Sequence, residues 1–186
     1  MQTKHISITE KNTNLVFNTP GVYTVYFNNI SGTISCRIES ENIKLYMIGL
    51  YDMKQNEKYT IRTEQIHIAP NSFSELLVLS VADEQSSLAF SGLIRIEKNA
   101  QQSHAYQKNQ NLILSNDAFV DSRPILEILA NDVFCTHGST SGPLSKDQLY
   151  YLQTKGLTKS QAKAVSIEGF KQQAIDKLSS LGVQQK

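Results

Sequence analysis

The sequence is short of several features that would narrow its class. It contains no tryptophan and only two cysteines, Cys36 and Cys135, in 186 residues. Two thiols are too few for a disulfide framework in a chain of this size, which favours free thiols in a reducing compartment. No run of about 18 uncharged apolar residues occurs, and the opening residues MQTKHISITE do not have the pattern of a signal peptide. We therefore expect a cytoplasmic protein that makes no use of a membrane.

The chain also lacks a strong net charge of either sign. Its formal net charge is +1 and its pI is near 7.7, which excludes a globally basic nucleic-acid-binding protein. The charge is unevenly spread: from Ser145 onward seven lysines face three carboxylates, net +4, so the preceding part carries about −3. Common enzyme motifs are missing too, namely GxxxxGK[ST], GxGxxG, HExxH, GxSxG and CxxC. No familiar enzyme class is therefore indicated by a motif.

Between Leu15 and Ala118 the sequence does contain a clear pattern, a series of short segments rich in Val, Ile, Thr, Tyr and Phe. Clusters of Asn, Gly, Ser, Asp and Pro separate them, as expected for strands and turns. Strands this short and evenly spaced favour an all-β sandwich, barrel or β-helix over βαβ units. The predicted strands cover residues 21–27, 32–38, 44–51, 59–68, 75–82, 87–97 and 111–115, and the polar stretch before the last of them is interpreted as a link.

The pattern becomes helical after Pro143. Ser145 followed three residues later by Gln148 predicts a capping box, and the short helix that follows is predicted to stop at Gly156. The same spacing recurs at residues 158–161 and predicts the start of a second helix.

The second predicted helix ends at Gly182 and has an amphipathic face. Gly169 within it lowers helix stability by about 1 kcal/mol relative to alanine and is expected to bend or split the helix. We predict two regions, a β core over residues 1–142 and a helical segment over residues 143–186. The apolar residues at helical spacing are Ile167, Phe170, Ala174, Leu178 and Leu181.

Cys135 and His137 form the most informative pair. Residues two apart on a strand share a face and lie about 7 Å apart along it. A thiolate and an imidazole are ligands for a soft metal or an iron-sulfur species, and a nearby imidazolium or bound metal ion favours the thiolate. Two ligands make only half of such a site, and a purely structural role for the pair also remains open.

The other cysteine and histidines are interpreted as structural or solvated. Cys36 alternates with isoleucines and is predicted to be a small core residue. His67 lies in a strand-like run and is predicted to be a hydrogen-bonded structural histidine. His5, near a terminus expected to be mobile, and His104, in the polar link, are predicted to be solvated.

The segment from Asn111 to Phe170 resembles the C-terminal core of the SufB/SufD family, the scaffold subunits of SUF iron-sulfur cluster assembly. Four matching motifs occur in the family's order, namely Pro-x-Leu-Glu-Ile from Pro124, Asp-Val-x-Cys-x-His-Gly from Asp132, Asp-Gln-Leu-x-Tyr-Leu from Asp147 and the Gly-Phe pair at Gly169. The resemblance is best over residues 66–181. It implies a right-handed parallel β-helix followed by helices, in a member shorter than usual.

Within the family the chain resembles SufD more than SufB. SufB proteins typically have a cysteine at the position of Leu152, and this chain therefore lacks that thiol. The resemblance implies that His137 and nearby Cys135 take part in forming a transient cluster at a subunit interface. Lys155 replaces an arginine common in the family, which keeps the charge and loses the planar fork.

The resemblance also implies partners. The C-terminal helices of the family bind SufC, an ABC-type ATPase, so we expect this chain to bind no nucleotide itself. The expected docking residues are Leu149, Tyr150, Leu152, Phe170 and Lys171. The scaffold partner is expected to be a SufB-like chain or a second copy. The alternatives are a dimerisation and ATPase-docking module without cluster chemistry, or an unrelated small metal-binding β-protein.

Overall fold

Eleven strands and two helices make up the computed structural model, which describes residues 2–183. Odd-numbered strands form one sheet in the order β1-β3-β5-β7-β9-β11, and even-numbered strands form a second in the order β10-β8-β6-β4-β2. Every pair of neighbouring strands is parallel. The strands are β1 Gln2–Ile8, β2 Thr13–Phe17, β3 Gly21–Asn28, β4 Gly32–Ile38, β5 Ile43–Met53, β6 Lys58–His67, β7 Phe73–Ala82, β8 Ser87–Ile96, β9 His104–Ile113, β10 Phe119–Ile128 and β11 Phe134–Gly142.

The chain therefore winds back and forth between two facing sheets, which is the parallel β-helix that the resemblance implied. The first turns are about 20 residues long, and from β4 and β5 onward successive turns stack with a spacing of about 30 residues, as the corners illustrate. The Asn42 amide donates to the Asn71 carbonyl at 3.0 Å, and the Asn71 amide donates to the Gln101 carbonyl at 3.0 Å. Asn42 and Asn71 have φ of 60° and 51°, a left-handed conformation that asparagine tolerates better than most residues.

The core lies between the two sheets and is apolar through the middle turns. Alternate residues of each strand face inward, as period-two burial requires. Leu45 and Met47 of β5 meet Ile34 and Ile61 from the opposite sheet there, and all four are fully buried.

Helices α1 (Lys146–Thr154) and α2 (Lys159–Ser180) follow the last strand. The apolar face of α2 packs on the outer face of the larger sheet, where Ala174 and Leu178 contact Ile48 and Leu79. Three lysines of α2 form ion pairs with sheet carboxylates: Lys163 with Asp83, Lys171 with Asp52 and Lys177 with Glu75. Helix α2 is thereby fixed to its own β-helix, whereas α1 has no buried residue.

Three local expectations need correction. The polar stretch before residue 111 is the first part of β9, not a link, because its inward amide side chains are accommodated in the interior. The first residues form strand β1 beside β3, although His5 is exposed as expected. Helix α2 is continuous through Gly169, where a side chain in place of the glycine hydrogen would extend into open space.

Both predicted helix starts are confirmed. Thr158 forms the complete capping box with Gln161. The Ser145 hydroxyl accepts from the Gln148 amide at 3.4 Å, which is one half of that arrangement. Gly156 and Gly182 have φ of 95° and 81°, as expected of glycines just after helix ends.

Candidate functional site

Strand β11 lies at the edge of the larger sheet, with β9 on one side and no described strand on the other. The Phe134 amide donates to the Ser103 carbonyl at 3.1 Å, so the backbone groups of Phe134 point towards β9. Successive residues of a strand point their backbone groups to opposite sides. The backbone groups of Cys135, His137 and Ser139 therefore point to the open edge.

The side chains of these same residues face the interior between the two sheets. Cys135 pairs with Ala105 of β9, and His137 pairs with Gln107. Both β9 residues are buried and point inward. Cys135 and His137 thus share the inner face of the last strand, as the sequence predicts, with Cys135 half-buried and His137 exposed.

The Cys135 thiol lies among small apolar groups. It packs against a cluster that includes Ile94, Ala105 and Ala130. Burial in these surroundings raises the pKa of Cys135 to about 11. This burial favours the protonated thiol in the isolated chain, and a bound metal ion would favour the thiolate instead.

The interior is uncovered at this last turn. Leu126 and Ile128 of β10 pair with buried residues of β8 and face inward, yet they are 38 % and 36 % exposed. On the outer faces, Phe119 and Phe134 are each 63 % exposed. Large apolar side chains and unpaired strand edges in one place are typical of a surface that another protein covers.

Residues 2–183 contain no cluster of three or more His, Cys, Asp or Glu side chains that could hold a metal ion. Cys135 and His137 therefore offer two ligands at most. A tetrahedral site for zinc or for cluster iron needs further ligands, which must come from sulfide or from another chain.

The remaining cysteine and histidines lie where the sequence predicts or near it. Cys36 is completely buried in the core, which raises its thiol pKa. His67 is also buried, with Nδ1 at 2.7 Å from the Ser72 hydroxyl and Nε2 at 2.7 Å from the Ser74 hydroxyl. Desolvation lowers the pKa of His67 to about 4, so it is a neutral structural residue. His104 is partly exposed, and its ring lies 4.9 Å from that of Phe134.

The five predicted docking residues have different surroundings. Tyr150 is 71 % exposed, whereas Leu149 and Leu152 are half-buried on α1. Phe170 packs towards the sheet, and Lys171 is paired with Asp52 at 2.9 Å and with Glu168 at 2.7 Å. A groove of about 770 Å³ runs between the helices, lined among others by Leu152 and Phe170.

Sequence reasoning missed the polar residues that line the interior beside His137. Gln107, Asn109 and Asn111 project from β9 into the space between the sheets and are almost fully buried. The 30-residue spacing of the turns places residue 107 beside residue 137. That spacing was present in the sequence, but the polar composition of the segment hid its strand.

Comparisons with known proteins agree with this architecture. Residues 24–170 match the family model described as "SUF system FeS cluster assembly, SufBD core domain". The match begins well upstream of residue 66, where the range of best resemblance starts. The chain belongs to the SufB/SufD family.

Among named relatives, the chain is similar to the iron-sulfur cluster assembly protein SufD of Escherichia coli, with 30 % identity over 81 % of this chain and 36 % of the relative. It is 34 % identical to SufD of Bacillus subtilis over 70 % of this chain and 29 % of the relative. It is also 33 % identical to an iron-sulfur cluster assembly SufBD family protein of Synechocystis over 67 % of this chain and 27 % of the relative. The chain thus spans about a third of the length of these relatives.

Neither helix described within residues 2–183 is both long and apolar enough to cross a membrane.

Proposed function

We propose that this chain acts as a SufD-like, non-enzymatic scaffold in iron-sulfur cluster assembly, with Cys135 and His137 contributing to a transient cluster at an interface with another chain. The observation that carries the proposal is the position of the pair. Both side chains lie on the inner face of an edge strand, and the backbone groups of the same two residues point to its open edge. A protein strand that adds to this edge would place its own inward side chains next to the pair.

The uncovered last turn supports a partner of the same architecture. An incoming strand could hydrogen-bond to β11, and a facing set of inward apolar side chains could cover Leu126 and Ile128. A SufB-like chain or a second copy of this chain has both features. A heterodimer with a SufB-like chain also supplies a cysteine of the kind that this chain lacks at Leu152.

Anaerobic reconstitution with iron and sulfide tests the cluster role, with the chain alone and together with a SufB-like chain. We expect thiolate-to-iron absorption in a paired sample and its loss in His137→Ala and Cys135→Ala. Thr136→Ala is the matched control, because residue 136 lies between the two and points outward. Absorption that is absent in every combination, or that both ligand variants retain, contradicts the cluster role.

Ser139→Pro tests whether pairing uses the β11 edge. Proline removes the residue 139 amide, which points to the open edge, and leaves the bonds to β9 in place. Ser139→Ala is the control, because it also loses the hydroxyl bond to Ser122 but keeps the amide. We expect light scattering to show loss of the dimer or of the hetero-pair only with proline. Equal assembly by both variants would place the interface elsewhere.

We also propose that α1 forms the docking surface for an ABC-type ATPase such as SufC, which supplies the nucleotide chemistry. The support is the contrast between the helices: α2 is occupied by contacts with its own sheet, whereas α1 has no buried residue and presents Tyr150, which is 71 % exposed. A tyrosine at the centre of such an interface typically contributes about 2 kcal/mol or more, so Tyr150→Ala should weaken ATPase binding by about 30-fold or more. Gln153→Ala, exposed on the same helix, is the control. Unchanged affinity of the tyrosine variant argues against this surface.

A purely structural module without cluster chemistry is the second candidate. The raised pKa of Cys135 favours it, because a protonated thiol in apolar surroundings is an ordinary core residue. It predicts that a Cys135→Ala/His137→Ala double variant assembles normally and leaves cluster delivery unaltered.

A further inference from the structure

Gln107 is an almost fully buried amide in the interior of the β-helix, 3 % exposed, on the inner face of β9. Its Nε2 donates to the Gly92 carbonyl on the opposite sheet at 3.3 Å. A Cβ at position 92 would overlap the Gln107 amide, so the absence of a side chain at Gly92 makes room for this amide to cross the interior. The Gln107 side chain is thereby held at one end.

The other end of the same amide is unpaired. Gln107 Oε1 is buried and accepts no hydrogen bond from any described residue. A buried acceptor without a donor costs about 1–3 kcal/mol, so a polar atom kept in such a place usually has a partner in the functional state. A hydrogen-bond donor close to Gln107 Oε1 would remove this cost.

On the opposite sheet the Thr63 hydroxyl, in register with Gly92, is also buried and without a partner. Within the sheet of Gln107 itself, the strand register leaves one neighbour that can donate. Gln107 is paired with Leu76 on one side and with His137 on the other. Leu76 is apolar and fully buried, so it offers no side-chain donor. His137 shares the inner face with Gln107, one strand away, where side chains are about 5 Å apart at Cβ. An imidazole always carries at least one N–H donor.

In the described conformation Gln107 Oε1 and the His137 ring form no hydrogen bond. We propose that the exposed His137 ring turns so that one ring N–H donates to Gln107 Oε1, which makes Gln107 a positioning residue for His137. That bond fixes the imidazole tautomer and turns the second nitrogen towards the open end of the β-helix. The use of the second nitrogen as a ligand rests on the function proposed above, whereas the hydrogen bond itself does not. Histidine ligands commonly donate their other N–H to an oxygen acceptor, and losing that acceptor typically weakens metal affinity by about 10- to 100-fold.

Nitrogen NMR of the chain labelled with ¹⁵N-histidine tests the hydrogen bond without any cluster. The chain has only four histidines, and His137→Gln assigns the relevant signals. We expect one neutral tautomer of His137 to dominate in the wild-type chain. Gln107→Met keeps the length of the side chain and removes the acceptor, so the second tautomer should become populated.

Gln65→Met is the matched control. Gln65 is equally buried and also has an unpaired Oε1, but it lies on β6, which does not neighbour β11. We expect it to leave the His137 tautomers unchanged. Equal tautomer populations in the wild type and Gln107→Met, or the same change in both methionine variants, would overturn the proposal. A tautomer mixture in the wild-type chain overturns it as well, even if neither variant folds.

Iron affinity separates this proposal from the function it deepens. With Fe²⁺ and the assembled pair, Gln107→Met should bind about 10- to 100-fold more weakly than Gln65→Met. If His137 has one fixed tautomer but the chain binds no iron in any assembly, the hydrogen bond stands and the cluster role is rejected. If the wild type binds iron and Gln107→Met does not change that affinity, the positioning role is rejected and the cluster role stands.

Discussion

The middle turns of the β-helix and its last turn share one strand geometry but fill their interiors differently. In the middle, Leu45 and Met47 are fully buried among other aliphatic side chains. At the last turn, Cys135, His137 and Ser139 face inward, and the apolar Leu126 is left 38 % exposed. The middle turns therefore supply stability, and the last turn leaves reactive and hydrogen-bonding groups uncovered.

Truncating a leucine in each of the two regions should give the largest difference in the free energy of unfolding. Leu45→Ala removes a fully buried side chain and should lower the free energy of unfolding by about 2–5 kcal/mol. Leu126→Ala, at the uncovered turn, should cost about 1 kcal/mol or less. Urea unfolding at concentrations where the chain is monomeric measures both values. Equal losses would mean that the last turn is as well packed as the middle.

The pH dependence of stability sharpens the comparison at a buried histidine. His67 stays neutral in the folded chain down to pH of about 4, because burial lowers its pKa from 6.5 to about 4. The unfolded chain therefore binds a proton first, so His67's contribution to stability is full above pH 6.5 and is lost between pH 6.5 and 4. The shift corresponds to about 3 kcal/mol. In urea unfolding against pH, His67→Asn should have a flatter profile than the wild type, and parallel profiles would contradict the assignment.

The two thiols should differ in alkylation rate. Cys36 is sealed in the core, whereas Cys135 is half-buried at the open end with a pKa of about 11. Iodoacetamide followed by peptide mass spectrometry should modify Cys135 in the folded chain, with a rate that keeps rising towards pH of about 11. Cys36 should react only after unfolding. A plateau of the Cys135 rate near pH of about 8.5, the value of an unperturbed thiol, would contradict the apolar surroundings described.

The sequence predicts most of the middle turns, because apolar residues there alternate with period two and asparagine or glycine marks the corners. It also predicts that Cys135 and His137 share one face of a strand, because residues two apart on a strand do so. It does not predict the first part of β9, before residue 111, because the inward residues Gln107 and Asn109 are polar and give no apolar alternation. The choice of a β-helix over a sandwich depends on strand order, which local patterns do not encode.

Local sequence patterns also could not predict what the apolar face of α2 packs against. An amphipathic helix with a lysine-rich polar face suits either a partner or its own domain. The ion pairs of Lys163, Lys171 and Lys177 with carboxylates of distant strands decide for its own sheet. Helix α1 is left as the exposed element.

Direct detection of a nitrogen ligand is the most informative single measurement. The chain labelled with ¹⁵N-histidine is paired with an unlabelled SufB-like chain, reconstituted anaerobically, reduced and studied by pulsed EPR. We expect a strong ¹⁵N coupling to the cluster that disappears in His137→Gln and remains in His104→Gln. A cluster without any ¹⁵N coupling, or with a coupling that survives loss of His137, would contradict ligation at the open end of the β-helix.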